Sequence, residues 1–536
     1  MLPHRPKAML PLLLLSFQLI AAPSPAKRAP ARPGLSQQVK AILAQEALNR
    51  AYWGIQVVDL DTGRVLYSQN AGQLFVPASN AKLFTTATVL SLAGPDYRFR
   101  TTIEAQGNLD AAGRLHGDLV IIGRGDPNIS GRVLPYALKT ERSPPHTQVL
   151  EEMANQVAAS GLKVVEGDLI GDDTFYSPER YGPGWPQDDL LGIDGAPISA
   201  LTFNDNLVFL NILPGEHEGD KALVTLEPET GYYQIDNRIV TTPAGTTHKI
   251  GIDRAAGARQ VVLWGSLPLG DSGMKEALAI EDPAQLTAEL FRAMLERRGI
   301  TIRGKATVRH TEVAQFFDLG SQAQPRQADA TETSASLPAP ATVISRASES
   351  APAPLVLAEH TSLPLLEDVR VTNKASQNLH AELSFRLVSK LSGTGGTLAG
   401  GAAAVEEFLL HAGLTLDEFL LVDGSGLSRR DLVTPAAVVR LLTYAARQPW
   451  GREYEGTLPI AAVDGSLSDR FLNSTAAGLV HAKTGSLSHV NALSGYGQTL
   501  RGKRFAFSIF CNNHNLPSAK ILAAIDSIVE VLVNAK

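Results

Sequence analysis

Apolar and small residues fill almost every position of Ala81–Leu92, and a helix that is apolar on all sides has to be buried. Phe75-Val76-Pro77-Ala78 leads into it, so Ser79 is predicted in the first turn of a core helix. Upstream, Leu35–Asn49 has helical spacing, and Trp53–Leu60 with Val65–Ser68 reads as a hairpin turned at Asp61-Thr62-Gly63. From about Phe99 the pattern shortens to alternating strands between Gly, Asp and Pro turns, among them Asp118–Ile122, Lys163–Ile170, Leu207–Leu213 and Gln260–Leu267. The clearest helices there are Glu151–Ala159 and Pro283–Arg298. Helical spacing returns at Leu363–Leu391, Ala402–Ala412 and Pro435–Arg447. Strands follow at Leu479–Lys483, Val490–Gly497 and Arg504–Phe510, and Pro517–Asn534 closes the chain as an amphipathic helix.

The two ends share one helix-plus-strand character, so the economical organisation is a single α/β domain split by an insertion. Its first part spans 27–96 and its second 357–536, with 97–310 forming one or two β-rich inserted domains. Residues 320–356 are rich in Ala, Pro, Ser, Thr and Gln without an aromatic residue, and such a run cannot bury enough surface to offset its ordering entropy. A disordered linker is predicted there. Residues 1–26 read as a secretory leader, with Arg5 and Lys7 before the apolar run Met9–Ile20 and small residues at Ala21, Ala22 and Ala26. The run is short of the roughly 20 apolar residues of a membrane helix.

A length of 536 residues exceeds one ordinary core. The net charge of −6 is modest, and no extended Lys/Arg cluster marks a nucleic-acid surface. The single cysteine, Cys511, excludes an intrachain disulfide framework. It lies in the alternating strand Phe505–Cys511, where a buried small hydrophobe is expected rather than a nucleophile.

Candidate chemistry begins with Ser79-Asn80-Ala81-Lys82. Ser-x-x-Lys occurs four times, but Ser24/Lys27 falls in the leader, and Ser160/Lys163 and Ser272/Lys275 carry Gly161 and Gly273 directly after the serine. Glycine disfavours a rigid helix, so only Ser79 opens a long apolar one. The i to i+3 spacing puts the Lys82 amine on the face of the Ser79 hydroxyl, and burial lowers a lysine's proton affinity enough to make it a base. A serine hydroxyl needs such a base to become a nucleophile. Ser376-Gln377-Asn378 is a second Ser-x-Asn unit in a helical region, whereas its decoy Ser68-Gln69-Asn70 sits at a strand end.

Lys483-Thr484-Gly485 occurs once, between strand-forming residues. Lys483 can hold a terminal carboxylate as a point charge, Thr484 can donate a hydrogen bond, and Gly485 removes a side chain where substrate backbone approaches. The backbone N–H groups of Ser79 and Ser486 then offer an oxyanion hole.

In the order Ser-x-x-Lys, Ser-x-Asn, Lys-Thr-Gly, these residues form the set of the penicillin-binding serine acyl-transferases. The chain resembles the D-alanyl-D-alanine carboxypeptidase/endopeptidase family with a large insertion after its first motif, peptidase family S13. Gly125-Asp126-Pro127, Gly171–Phe175, Ile198–Leu201 with Asn204-Asp205-Asn206, Val422–Arg429, and Leu458–Ala461 with Asp464-Gly465 extend the resemblance over nearly the whole chain. The resemblance implies an α/β (α+β) fold of the serine β-lactamase/transpeptidase type. It implies attack of Ser79 on a peptidoglycan stem peptide, with Lys82 as base, Ser376 as proton relay to the leaving amine and Asn378 steadying the substrate amide. Lys483 and Thr484 would hold the terminal carboxylate, and Asp172 or Asp173 would hold the amine of the diamino acid. β-Lactam antibiotics become covalent ligands, the protein is exported to the periplasm or cell envelope, and no cofactor is implied. The residues leave oligomeric state open.

Other signals carry less. Arg124-Gly125-Asp126 precedes Pro127 and reads as a turn. Asp423-Gly424-Ser425-Gly426 lacks a phosphate-loop lysine, and His380 with Glu382 does not form a His-Glu-x-x-His zinc site. Two alternatives stand beside the peptidase: a serine β-lactamase with the same acylating machinery, and a non-catalytic protein that binds cell wall through its β-rich insertion.

Overall fold

The computed structural model describes residues 1, 34–136, 145–312 and 354–535. Nearly all of the predicted leader, and residues 320–353 of the predicted linker, lie outside the described residues.

A five-stranded antiparallel sheet joins the two ends of the chain, in the order Val480–Leu487, Val490–Gln498, Arg504–Asn512, Tyr52–Asp59 and Val65–Gln69. Its seam is the pairing of Tyr52–Asp59 with Arg504–Asn512, which sets Trp53 opposite Cys511, Ile55 opposite Ile509 and Val57 opposite Phe507. Helices Leu35–Leu43 and Ser518–Val533 cover one face, packing Val39, Ile525 and Val529 on Ile55 and Leu493. Helices Ala81–Ala93, Leu365–Lys374, Asn378–Leu391, Leu398–His411 and Pro435–Ala445 build the core on the other. With both faces covered, every position of Val490–Tyr496 is buried rather than every second one. Cys511 is fully buried, and desolvation pushes its thiol up to about 12.

The all-round apolar helix forms as its composition requires, with ten consecutive residues from Ala81 to Leu90 buried. The predicted helical stretch Leu363–Leu391 is instead two helices. The chain breaks at 375–377, where Ser376 takes a left-handed φ of 59° and the Gln377 side chain accepts from His380 N to cap the second helix. Apolar spacing conceals the break because the helices on either side of it each bury an apolar face, Leu365, Val369 and Val371 before it and Leu379, Leu383 and Leu387 after it.

The insertion packs around one core shared by its strands and by helices Gln148–Ala159 and Pro283–Arg297. Two three-stranded sheets accompany a larger sheet in which Arg114–Ile122 and Arg100–Leu109 are central. Leu355–Thr361 pairs with Arg100–Leu109, so the inserted sheet takes a strand that begins inside the predicted linker, residues 355 and 356 are ordered by that pairing, and a division at 357 cuts the strand.

Candidate active site

The 3-10 turn Ala78–Asn80 places Ser79 just before, rather than inside, the first turn of helix Ala81–Ala93. Ala78 has a left-handed φ of 48°, a conformation that costs energy in a non-glycine residue and that the surroundings must enforce. Gly426 packs so tightly beneath it that a Cβ there would lie 1.9 Å from the Ala78 carbonyl oxygen. Gly485 serves the same turn from the other side: its Cβ would meet Asn80 Nδ2 at 2.7 Å and Pro77 O at 2.8 Å. The space that Gly485 leaves is therefore filled by the Ser79 turn, which replaces the expected reason for that glycine, approach of substrate backbone.

Lys82 Nζ donates to Ser79 Oγ at 3.0 Å, Asn378 Oδ1 at 2.6 Å and the Ser425 carbonyl at 2.7 Å. Full burial pulls Lys82 down to about 8, against the opposing pull of carboxylates at Asp423, Glu382, Asp194 and Asp431. Two of those carboxylates also hold the loop that carries Ser425. Glu382 Oε1 accepts from Gly424 N and Ser425 N, while Asp423 accepts from Gly426 N, Ser428 N and Trp185 Nε1. Burial, then the Asp423 charge, pushes Glu382 up to about 7.

Ser376 stands at the helix break, its hydroxyl accepting from Lys483 Nζ at 2.8 Å. Lys483 also donates to Thr484 O at 2.9 Å, so both of these partners are neutral. Burial, then the nearby Lys82 charge, holds Lys483 well below the ordinary lysine range. Behind Ser376, Gln377 Nε2 donates to Asp205, which also pairs with Arg132 and with the buried His380. Lys374 pairs with Asp464 on the other flank. The break is thus tied both to the insertion and to the loop before the last strands.

Val480–Leu487 is the edge of its sheet. Ala482 N–H points away from the sheet, to Pro459 O at 2.9 Å, and the two-residue period of a strand sends the N–H groups of Thr484 and Ser486 the same way. The edge therefore presents donors to a cleft of about 550 Å³ lined by Ser79, Ser376, Asn378, Thr484 and Ser486. Lys82 and Lys483 lie behind this wall, fully buried. Thr484 Oγ1 shares a hydrogen bond of 2.7 Å with Ser466 Oγ, a residue that the sequence pattern did not single out. Asn378 spans two units, taking Lys82 on Oδ1 and donating through Nδ2 to Asp194 O of the insertion at 2.9 Å.

Asp172 and Asp173 are not brought to this cleft. Asp172 is held by Arg309 Nη1 at 3.0 Å and by Thr174, and Asp173 by His310 Nδ1 at 2.7 Å and Ser199 Oγ at 2.9 Å. Both serve to seat the strand Ala306–Arg309 and the residue after it. The acidic wall of the cleft is Asp188, Asp189 and Asp194, from a segment entered at Pro186. Burial, then the charges of Asp188 and Asp194, raises Asp189. Asp188-Asp189 follows Gly-Trp-Pro-Gln in a loop without periodicity, so only its acid pair could have pointed to it.

Comparison with known proteins agrees over the same residues. The model of the D-Ala-D-Ala carboxypeptidase 3 (S13) family matches 35–320 and 339–534. A D-alanyl-D-alanine carboxypeptidase of Actinomadura sp. (strain R39) is 35% identical over 528 residues, 96% of this chain and 88% of the relative. D-alanyl-D-alanine carboxypeptidase DacB of Haemophilus influenzae is 24% identical over 466 residues, 86% of this chain and 85% of its own. The crystal structure of penicillin binding protein 4 (dacB) from Haemophilus influenzae superposes with a TM-score of 0.74 at 22% identity, covering 92% of this chain and 99% of that one.

Proposed function

The chain belongs to the D-Ala-D-Ala carboxypeptidase 3 (S13) family, and from that premise we propose how its residues carry the reaction and where it takes place. It is a serine-type D-Ala-D-Ala carboxypeptidase. The observation that supports Ser79 as nucleophile is the 3.0 Å contact of its hydroxyl with Lys82 Nζ at a cleft that Ser376, Asn378, Thr484 and Ser486 also line.

Ser79 Oγ attacks the carbonyl carbon of the penultimate D-alanine of a peptidoglycan stem peptide, and its proton passes to Lys82 Nζ. With Lys82 near 8, about one molecule in ten carries the neutral amine at pH 7. The developing oxyanion is met by the N–H groups of Ser79 and Ser486. The C–N bond then breaks, and the departing amine takes the proton that Lys82 accepted, relayed through Ser376, whose hydroxyl rests on Lys483 Nζ. Water adds to the Ser79 ester, releasing the shortened peptide and restoring the hydroxyl. Thr484 lines the cleft where the substrate's terminal carboxylate docks, with the buried Lys483 behind it. That carboxylate supplies the counter-charge which Lys483 lacks in its two neutral partners. Asn378 steadies the substrate amide by exchanging its contact with Asp194 O. The acidic group for the diamino acid's amine is Asp188, Asp189 or Asp194 rather than Asp172 or Asp173.

Covalent binding of penicillin accords with the same acylation, and a relative's crystal structure is described as complexed with a novel β-lactam. The cleft opens to solvent, so cleavage of cross-linked peptides as well as single stems is part of the proposal. Export to the cell envelope rests on the leader pattern of residues 1–26. A labelled penicillin should form an adduct that Ser79→Ala abolishes while the melting temperature holds; equal labelling of the variant would overturn Ser79 as nucleophile. Digestion of purified muropeptides then separates the activities, loss of one alanine marking trimming and dimers becoming monomers marking endopeptidase action. Rapid turnover of penicillin without peptide cleavage would favour a β-lactamase. Wall binding with neither acylation nor hydrolysis would favour the non-catalytic reading.

A further inference from the structure

Three buried polar side chains, Asn378, Glu382 and Arg386, stand four residues apart on helix Asn378–Leu391 and so share one face of it. Asn378 touches Lys82 at 2.6 Å, and Arg386 clamps Glu179 of the insertion at 2.7 Å. Glu382, between them, makes its hydrogen bonds to backbone alone among the described residues.

Those bonds lead to Lys82 through one short stretch of loop. Glu382 Oε1 accepts from Gly424 N at 3.0 Å and from Ser425 N at 2.8 Å. The carbonyl groups of the same two residues face helix Ala81–Ala93, Gly424 O taking Thr85 Oγ1 and Ser425 O taking Lys82 Nζ, each at 2.7 Å. The peptide unit between Gly424 and Ser425 is thus held at both ends, its N–H by Glu382 and its carbonyl by Thr85. The next unit is held by Asp423 at Gly426 N and by Lys82 at Ser425 O. The loop reaches the helix because residue 424 is glycine: a Cβ there would lie 2.7 Å from both Ala381 O and Phe385 Cβ.

A neutral amide could accept the same two N–H bonds. Glu382 is instead a fully buried acid whose second oxygen, Oε2, has no hydrogen-bond partner among the described residues. Burying an unpaired acid oxygen is costly, so the charge calls for a reason beyond holding the loop. Asp423 differs in having N–H partners on both oxygens, Gly426 on one and Ser428 and Trp185 on the other.

The two buried lysines of the site supply that reason. Lys483 has neutral acceptors and the Lys82 charge beside it, and burial holds it well below the ordinary lysine range. Lys82 is equally buried but faces carboxylates at Asp423, Glu382, Asp194 and Asp431, and it falls only to about 8. Glu382 in turn faces Asp423, which opposes its ionisation, and Arg386, which favours it.

We propose that Glu382 is a positioning residue for Lys82, fixing the loop whose Ser425 carbonyl receives Nζ and supplying the buried negative charge that lets Nζ hold the proton taken from Ser79 Oγ. The inference rests on the reading of Lys82 as base. In that step the Ser79 O–H bond breaks, the Nζ lone pair takes the proton, and the ammonium so formed is stabilised by a carboxylate across a low-dielectric interior.

The test follows the Lys82 amine itself, by NMR of the ε-carbon in the full chain with isotope-labelled lysine, the signal being assigned by its loss in Lys82→Met. Glu382→Gln keeps the accepting oxygen and removes the charge, whereas Glu382→Asp keeps the charge and shortens the reach. With Glu382→Gln the titration midpoint of Lys82 should fall by about one pH unit, and the midpoint of the penicillin acylation rate should fall with it. Glu382→Asp should leave the midpoint near its native place and slow acylation about tenfold or more at every pH. A merely structural glutamate would lower the melting temperature of both variants and move neither midpoint, and that result would overturn the proposal. Equal midpoint shifts in the two variants would overturn it as well. Should Glu382→Gln not fold, Glu382→Asp decides: acylation at the native rate overturns the positioning role, and slowed acylation at an unmoved midpoint supports it. If the Lys82 signal shifts in Glu382→Gln but the acylation profile does not follow, Lys82 fails as the base while the hold of Glu382 on its amine stands.

Discussion

Lys483 Nζ donates to Ser376 Oγ across 2.8 Å although the two residues are 107 positions apart. The contact joins an edge strand to a helix break, and it puts an ammonium held below the ordinary lysine range behind a hydroxyl that lines the cleft. On the proposed mechanism Lys483 acts on substrate partly through Ser376, with the half-buried Thr484 as the member of its motif that lines the cleft.

Because the two side chains form one unit, their losses should not add. Ser376→Ala is expected to slow acylation by a labelled penicillin about 10²- to 10⁴-fold, the range for a positioned proton donor. Lys483→Ala should fall in the same range, and the double variant close to either single one. Stopped-flow acylation rates give the cycle, and strictly multiplicative losses would show that the pair is not a unit.

If Lys82 is the base, acylation requires its neutral form, and burial pulls Lys82 down to about 8 from the usual lysine value. The acylation rate should therefore climb about tenfold per pH unit below that point and level off above it. An unshifted lysine would keep the rate climbing to about 10. A rate constant flat from about pH 5 to about pH 9 would remove Lys82 from the role of base.

Gly485→Ala forces a methyl group against Asn80 Nδ2 and Pro77 O. Overpacking of this kind costs about 1–3 kcal/mol, so the melting temperature and the acylation rate should fall together. Unchanged melting with full labelling would show that the Ser79 turn tolerates the displacement.

The acidic candidates separate by substitution. Asp189→Asn should raise KM for peptides with a free side-chain amine and leave N-blocked peptides unaffected. Asp172→Asn loosens a pair whose arginine side chain is 40% exposed, so about 1 kcal/mol of stability or less is at stake, with no change in KM. A KM effect confined to Asp172→Asn would restore the first assignment.

Part of the fold and site is legible in the order and type of residues. The helix after Ser79 is readable because ten adjacent buried positions leave no polar face, and the glycine-disrupted decoys of its motif can be set aside on propensity. The strands around Lys483 alternate or run apolar as their burial demands. The break at Ser376 is not readable, since its left-handed φ is imposed by Lys374–Asp464 and Gln377–Asp205 contacts that span 90 and 172 positions. Nor is the strand Leu355–Thr361, whose first two residues fall within the predicted linker 320–356 and whose partner, Arg100–Leu109, lies about 250 positions upstream.

By itself the sequence determined the candidate reactive groups and most of the elements that carry them, since residue type and periodicity are local properties. Only the tertiary structure decided that Gly485 makes room for the Ser79 turn, that Asp188, Asp189 and Asp194 rather than Asp172 and Asp173 face the cleft, and that burial pulls Lys82 down to about 8. These depend on close contacts, burial and charges that packing brings together, none of which has a local signature along the chain.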